Sequence, residues 1–279
     1  WFDSVIHAFT TISTGGFSVK NASIAAYGSI VIEWIIIIFM FLSGINFALL
    51  FYALRRDYQA VFQSEELRSY TLMTVIASAL IAMNLIVHAG IAASFQTVTD
   101  SVFQVVTLMT TTGYMTRDYV LWPTFSQAVL ILVMFAGGCA GSTAGGIKQI
   151  RFVLLCKNLK REVQRILHPR VVKTLDSDGE RVEEATLSGI SLFFFAYILL
   201  LLLGTLVVAW DDVGFTAAFT GALTCISNVG PAFDVLGPTC NFFDLSTVSK
   251  VVLSFEMLLG RLEIMPLLLL LFPGLWRKR

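Results

Sequence analysis

Three short segments of the chain repeat one pattern of small polar residues and glycine. They run from Asp3 to Phe17, from Asp100 to Tyr114 and from Ala217 to Pro231, and they align without gaps. Thr10, Thr107 and Thr224 coincide, as do Ser13, Thr110 and Ser227, and then Gly16, Gly113 and Gly230. Long apolar stretches surround each copy. A turn at bilayer depth leaves backbone carbonyls that lipid cannot satisfy, so it must line water or protein. Set around an axis, such turns make an ion filter, in which carbonyl oxygens replace the hydration shell of a cation without adding net charge. The expected ligands are Thr14, Gly15 and Gly16, then Thr111, Thr112 and Gly113, then Asn228, Val229 and Gly230. The glycines permit the positive φ that lets successive carbonyls point the same way. Hydroxyls at Thr14 and Thr111 can add oxygens, and Asn228 offers an amide oxygen at the matching place. Phe17, Tyr114 and Pro231 follow the glycines where an acidic ring would carry charge. That favours a monovalent, desolvated ion.

Two further features belong to the same chemistry. Residues 137–146 interrupt an otherwise apolar helix with Gly137, Gly138, Cys139, Ala140, Gly141, Ser142, Thr143, Ala144, Gly145 and Gly146. A phosphate-binding loop is a poor reading, because no Gly-Lys pair closes the stretch before Lys148 and no strand precedes it. Irregular backbone at this depth lines a cavity or is buried in protein. The expectation is a flexible obstruction of the pore with Lys148 at its end; the bland alternative is a packed break between two half-helices. Arg261 and Glu263 place charges in the middle of the last apolar run, which calls for water, a partner or the ion path. They are two residues apart and cannot pair on one helix. Arg261 below the filter would repel cations and could donate to carbonyls of the 137–146 loop.

The elements that must position these groups follow from composition. The chain has 279 residues, 56% hydrophobic and 14% charged, whereas an ordinary soluble domain is about 25% charged. Apolar runs at 28–54, 70–93, 125–135 resuming at 147–155, 187–210 and 248–272 approach or exceed the roughly 20 residues of a spanning helix. Short half-helices at 4–12, 101–109 and 215–226 would direct their negative carbonyl ends at the filter. Asp3, Asp100 and Asp211 or Asp212 suit their N-terminal caps. Most Lys and Arg residues fall in 55–68, 151–181 and 277–279, and these are expected in the cytoplasm. Lys20, Arg117 and Lys250 mark the other side. Trp34, Trp122, Trp210 and Trp276 fall near span ends, as interfacial aromatics do. The fold class is therefore all-α integral membrane, built from units of helix, re-entrant pore loop and helix. Residues 1–69 form one unit with its linker, 70–185 a second with the interrupted helix and a cytoplasmic extension, and 186–279 a third. The polar stretch 157–184 is a solvated loop or a docking surface for a cytosolic partner. Cys139, Cys156, Cys225 and Cys240 have no metal-ligand spacing. No nucleophile–base pair or metal cluster points to an enzyme, and nothing points to nucleic acid.

With these motifs on the page, the chain resembles the TrkH family, the membrane subunits of bacterial Trk potassium-uptake systems, within the superfamily that includes KtrB. Ser13-Thr-Gly-Gly-Phe17, Thr110-Thr-Thr-Gly-Tyr114 and Ser227-Asn-Val-Gly-Pro231 are similar to the family's second, third and fourth filter segments. Residues 138–146 resemble its intramembrane gating loop, and Gly260-Arg-Leu-Glu-Ile264 the segment carrying its pore arginine. The resemblance implies a pseudo-fourfold pore in the bacterial inner membrane, a homodimer, and passage of K+ and comparably Rb+. It also implies control by a cytosolic TrkA-like ring, with nucleotide bound only on that partner. The first unit and the outer helix of the second are missing from the pattern, so the chain is expected to be part of a longer one and not to close a fourfold filter alone. Two other readings stay open: an ion-coupled secondary transporter with broken helices at midplane, for which Glu263 is the candidate coupling acid, and the potassium-binding subunit of an ATP-driven pump.

Overall fold

Apolar, helix-forming sequence gives a structure whose regular elements are nearly all helices among the described residues. The computed structural model describes residues 1–168, 174–262, 264 and 266. Eleven α-helices occur among them: α1 (Phe2–Ile12), α2 (Ile30–Ser43), α3 (Phe47–Leu54), α4 (Tyr58–Gln63), α5 (Glu65–Val87), α6 (Phe95–Met109), α7 (Thr124–Phe135), α8 (Gln149–Leu167), α9 (Glu184–Ala209), α10 (Phe215–Ser227) and α11 (Thr247–Arg261). One small antiparallel hairpin joins β1 (Leu175–Ser177) to β2 (Glu180–Val182). Two helices, α5 and α9, are long and apolar enough to cross a membrane, and the bent pair α2–α3 passes the same test together. Large apolar side chains such as Leu72, Val75, Leu202 and Leu206 are exposed on α5 and α9, as lipid-facing surfaces require.

The half-helices α6 and α10 are wrapped by neighbouring helices, whereas α1 packs on α2 and buries only His7 and Thr11. Residues of α6 from Phe103 to Met109 and of α10 from Thr220 to Ser227 are buried without a break, although α6 carries Gln104 and Thr107 and α10 Thr220 and Thr224. Hydroxyls in these helices return to the chain one turn back, as Thr110 Oγ1 does to Val106 O at 2.7 Å and Ser101 Oγ to Thr97 O at 2.8 Å. Tyrosines tie neighbouring units together, Tyr114 to Thr10 at 2.5 Å and Tyr119 to the carbonyl of Ala232 at 3.0 Å, while Tyr197 bonds Ser227 at 2.7 Å within the last unit.

Two expectations are corrected here. The 28–54 run is not one straight span: α2 and α3 meet at 105° across Gly44–Asn46. The aspartates do not cap the half-helices. Helix α1 begins at Phe2 and α6 at Phe95, so Asp3 and Asp100 lie inside them, and Ser94 caps α6 by accepting from Thr97 N. Asp100 instead accepts from Arg117 Nε at 3.2 Å and Thr116 Oγ1 at 3.3 Å, while Asp3 lies 4.0 Å from Lys20 and accepts from Tyr27 at 2.9 Å. Lys20 and Arg117 stand at matching positions of their repeats, so the ion pair across each descending half-helix and its returning segment is itself repeated. Asp211 serves α11, accepting from Ser246 N at 2.9 Å; hydrogen bonds from the Ser249 side chain and from Ser246 hold its carboxyl below the usual range. Trp122 is largely buried, a packing residue at the end of its loop. Glu263, Trp276 and the basic tail at 277–279 lie outside the described residues.

Close packing of α11 on α10 generates a test. A Cβ at Gly260 would lie 1.9 Å from the Ile226 carbonyl oxygen, whereas one at Gly189 on α9 would meet nothing within 4 Å. Gly260→Ala should therefore lower stability by roughly 1–3 kcal/mol through overpacking, while Gly189→Ala is neutral or stabilising. Thermal unfolding in detergent of the two variants checks the contrast; equal melting temperatures would refute it.

Candidate functional site: the repeated turns and the glycine-rich loop

Each half-helix ends in the same hydrogen-bonded turn. The N–H groups of Thr14, Thr111 and Asn228 bond the carbonyls of Thr11, Leu108 and Cys225, each at 3.2 Å. Those of Gly15, Thr112 and Val229 bond Thr10 O, Thr107 O and Thr224 O at 2.8, 2.9 and 2.9 Å. This is the paired closure of a Schellman end, which needs a left-handed residue just past the helix. Thr14, Thr111 and Asn228 occupy that conformation, with φ of 51, 57 and 59°. Two residues on, Gly16, Gly113 and Gly230 are again at positive φ, 65, 84 and 111°. The intervening residues are not, so the sign of φ alternates along each turn. The sequence pointed only to the glycines. Threonine in the left-handed region is uncommon, and no local signal announces it.

The three turns also pack against one another in order. A Cβ on Gly16 would fall 1.8 Å from Thr112 O, and one on Gly113 would fall 2.3 Å from Val229 O. The first turn thus abuts the second and the second the third, each glycine against the carbonyl at the matching position of the next copy. Gly230 has nothing within 4 Å, so the third turn presents an open side.

Directly against these turns lies the 137–146 loop. It leaves α7 through a parallel bridge between Ala136 and Ile147, runs across the α2–α3 break, and returns to α8. Cys139 N donates to Gly44 O at 2.9 Å and Phe47 N to Gly141 O at 3.1 Å. The 105° bend therefore exposes backbone that the loop satisfies. Thr143 is the point of densest contact. Its hydroxyl donates to Ile12 O at 3.0 Å, with Ser43 O also in reach at 3.2 Å. Its carbonyl accepts from Thr14 Oγ1 at 2.9 Å and from the Arg261 guanidinium at 3.0 Å. Gly145 N donates to Thr111 Oγ1 at 2.6 Å. A side chain at Gly145 would collide with Ser227 O at 2.4 Å and Asn228 Cβ at 3.1 Å, so the loop is wedged between the second and third turns. Lys148 reaches back to the Ala144 carbonyl.

These contacts reassign some side chains. The hydroxyls of Thr14 and Thr111 hold the loop, and Asn228 Nδ2 lies against Gly260 of α11. The backbone carbonyls of the turns are left as the candidate cation ligands. Behind the loop, a cavity of about 360 Å³ is bounded by Thr143, Gly146, Lys148, Arg151, Phe193 and Arg261 among others, and by no residue of the turns. Arg151 stacks on Phe193 at 3.9 Å. The structure thus brings together the turns, the loop, Lys148 and Arg261. It adds Glu66, a buried carboxylate that bonds the loop through Ala140 N at 2.7 Å and Ile150 N at 3.0 Å. In the sequence Glu66 is one of several acids opening a helix and carries no distinguishing mark. Glu256 was likewise not legible: it is buried on α11 against Gly204 of α9.

Comparison with known proteins agrees with this arrangement. The profile of the TrkH family, described as a cation transport protein, matches residues 1–275. The chain is 35% identical over 278 residues to the Trk system potassium uptake protein TrkH of Escherichia coli (strain K12), covering 99% of this chain and 57% of that protein. It is 32% identical to the Trk system potassium uptake protein TrkG of the same strain, covering 99% of this chain and 56% of that one. The crystal structure of the potassium transporter TrkH from Vibrio parahaemolyticus superposes with a TM-score of 0.90 at 34% identity, over 99% of this chain and 59% of that chain. The chain therefore spans a little over half the length of these relatives.

The Thr111–Gly145 bond can be tested alone. Thr111→Val removes the acceptor and leaves a buried N–H unpaired, which costs about 1–3 kcal/mol. Amide exchange at Gly145 should accelerate about tenfold or more, tenfold being about 1.4 kcal/mol, and Thr111→Ser should keep it slow. Unchanged exchange in Thr111→Val would show that the bond does not hold the loop.

Proposed function

Because the chain belongs to the TrkH family of cation transport proteins, we propose that it is the pore-forming part of a potassium-uptake subunit in the bacterial inner membrane. The observation that carries this reading is the ordered stacking of the three turns, Gly16 on Thr112 O and Gly113 on Val229 O. Backbone carbonyls at these positions exchange for the water around a desolvated K+ or Rb+, and the carbonyl ends of α1, α6 and α10 add partial negative charge beneath it. A fourth turn from the remainder of the longer protein closes the ring on the open side of Gly230.

In this reading the 137–146 loop is the gate. It obstructs the path just inside the turns, and Arg261, bonded to Thr143 O, adds a positive charge that cations must pass. To leave, the loop gives up the bonds of Thr14 and Arg261 to Thr143 O, of Gly145 N to Thr111 Oγ1 and of the Thr143 hydroxyl to Ile12 O. At about 0.5–1.5 kcal/mol net for each, these four favour closure by a few kcal/mol. That difference is small enough for a bound regulator to reverse. We assign this role to a cytosolic TrkA-like ring acting on a homodimer, with nucleotide held by the ring.

Ion flux into liposomes bearing the full-length protein tests the reading. Wild type should pass K+ and Rb+ well above Na+; equal Na+ and K+ permeation would sink it. Arg261→Ala should raise K+ flux without the ring by about tenfold at unchanged selectivity, the equivalent of about 1.4 kcal/mol. Unchanged or lower flux in a folded Arg261→Ala protein would remove Arg261 from the gate. Gly113→Ala, whose Cβ would strike the third turn, should lose the preference for K+.

A further inference from the structure

Helix α5 opens with two adjacent carboxylates that engage different structures. Glu66 is buried, and its Oε1 alone accepts from Ala140 N at 2.7 Å and Ile150 N at 3.0 Å. Those two amides stand on either side of Gly141–Gly146 and Lys148, so one oxygen clasps the loop at both its borders. Glu65 points the other way. Its carboxylate pairs with Lys157 of α8 and accepts from Ser177 Oγ at 3.3 Å, and its N–H donates to Asp178 Oδ1 at 2.8 Å. Lys157 also donates to Asp176 O at 2.7 Å. The β1–β2 hairpin is thereby seated on the N-terminus of α5, where the charge of Asp178 is favoured. Its outer residues Asp178, Gly179, Glu180 and Arg181 are exposed.

We propose that Glu65 and Glu66 act as a two-headed latch: Glu66 positions the loop against the turns, and Glu65 makes that position depend on where the hairpin sits. This deepens the function proposed above and rests on the loop being the gate. Consecutive residues at a helix start share one rigid backbone frame. Displacing the hairpin removes the groups that seat the first turn of α5, and a small shift of that turn takes Glu66 Oε1 out of reach of both loop amides together. The partly exposed pair between Glu65 and Lys157 is weak in isolation, which suits a contact that a cytosolic protein must exchange. The ligand for the hairpin is accordingly a soluble protein that offers a cation to Asp178 in place of its bond to the α5 start. Both carboxylates are positioning residues; neither touches the ion path.

The test is a double-mutant cycle on K+ flux in liposomes, using the full-length protein without its regulator. Glu66→Ala should raise flux about tenfold (about 1.4 kcal/mol), and Glu66→Gln, which keeps an acceptor oxygen, should stay near wild type. The hairpin variant Lys157→Met/Asp178→Ala should raise flux too, and combining it with Glu66→Ala should add nothing, because both break one linkage. The K+ over Na+ preference should be unchanged throughout, since no turn is altered. If Glu66→Ala does not fold, Glu66→Asp, shorter by one methylene, replaces it, with faster amide exchange at Ala140 and Ile150 as the second readout. Multiplicative effects in the combined variant, or wild-type flux in both Glu66 variants, would overturn the latch. Wild type lacking K+-selective flux would overturn the pore reading itself.

Discussion

Backbone groups at membrane depth must find partners inside the protein, and here the turns and the 137–146 loop depend on each other for them. Each half-helix ends in a turn whose N–H groups bond back to the last helical turn. The loop is irregular backbone that no helix can satisfy. The two meet through Thr14 and Arg261 on Thr143 O, Thr111 on Gly145 N, and Thr143 on Ile12 O. In this arrangement each supplies the other with hydrogen-bond partners that lipid cannot. The bend between α2 and α3 and the buried Glu66 also meet the loop, through Gly44 O and through the amides of Ala140 and Ile150.

This mutual dependence gives the left-handed residues two uses. Thr14, Thr111 and Asn228 end their helices, which needs only backbone, and their side chains are then free to face the loop or α11. Glycine at those positions would close the turn equally well but would hold nothing beneath it. The repeat therefore keeps one backbone geometry at three positions while its side chains meet the loop or α11 differently.

The same economy appears outside the centre. Asp3 with Lys20 and Asp100 with Arg117 tie two of the half-helices to their returning segments at matching positions. The third copy has Ala217 and Asp234 there and relies on Phe233 N donating to Thr220 Oγ1 at 3.1 Å. Charge pairing in two units and a neutral hydrogen bond in the third solve one problem, that of anchoring the chain after a turn it cannot leave unsupported.

The sequence by itself determined the membrane class, the helical architecture, the three repeated turns, the interrupted helix and an arginine within the last apolar run. Those features are local: hydropathy, glycine content and spacing register them directly. Tertiary structure alone decided the rest. Residue spacing could not say that Asp3 and Asp100 pair across the turn instead of capping, because a cap depends on where the helix starts, and α6 starts six residues earlier than its pattern of small polar residues suggests. It could not distinguish Glu66 from other acids at helix starts, because its role is set by amides 74 and 84 residues away. Nor could it reveal that the threonine hydroxyls turn to the loop, since left-handed backbone at Thr14 and Thr111 is paid for by contacts that exist only when distant segments have packed.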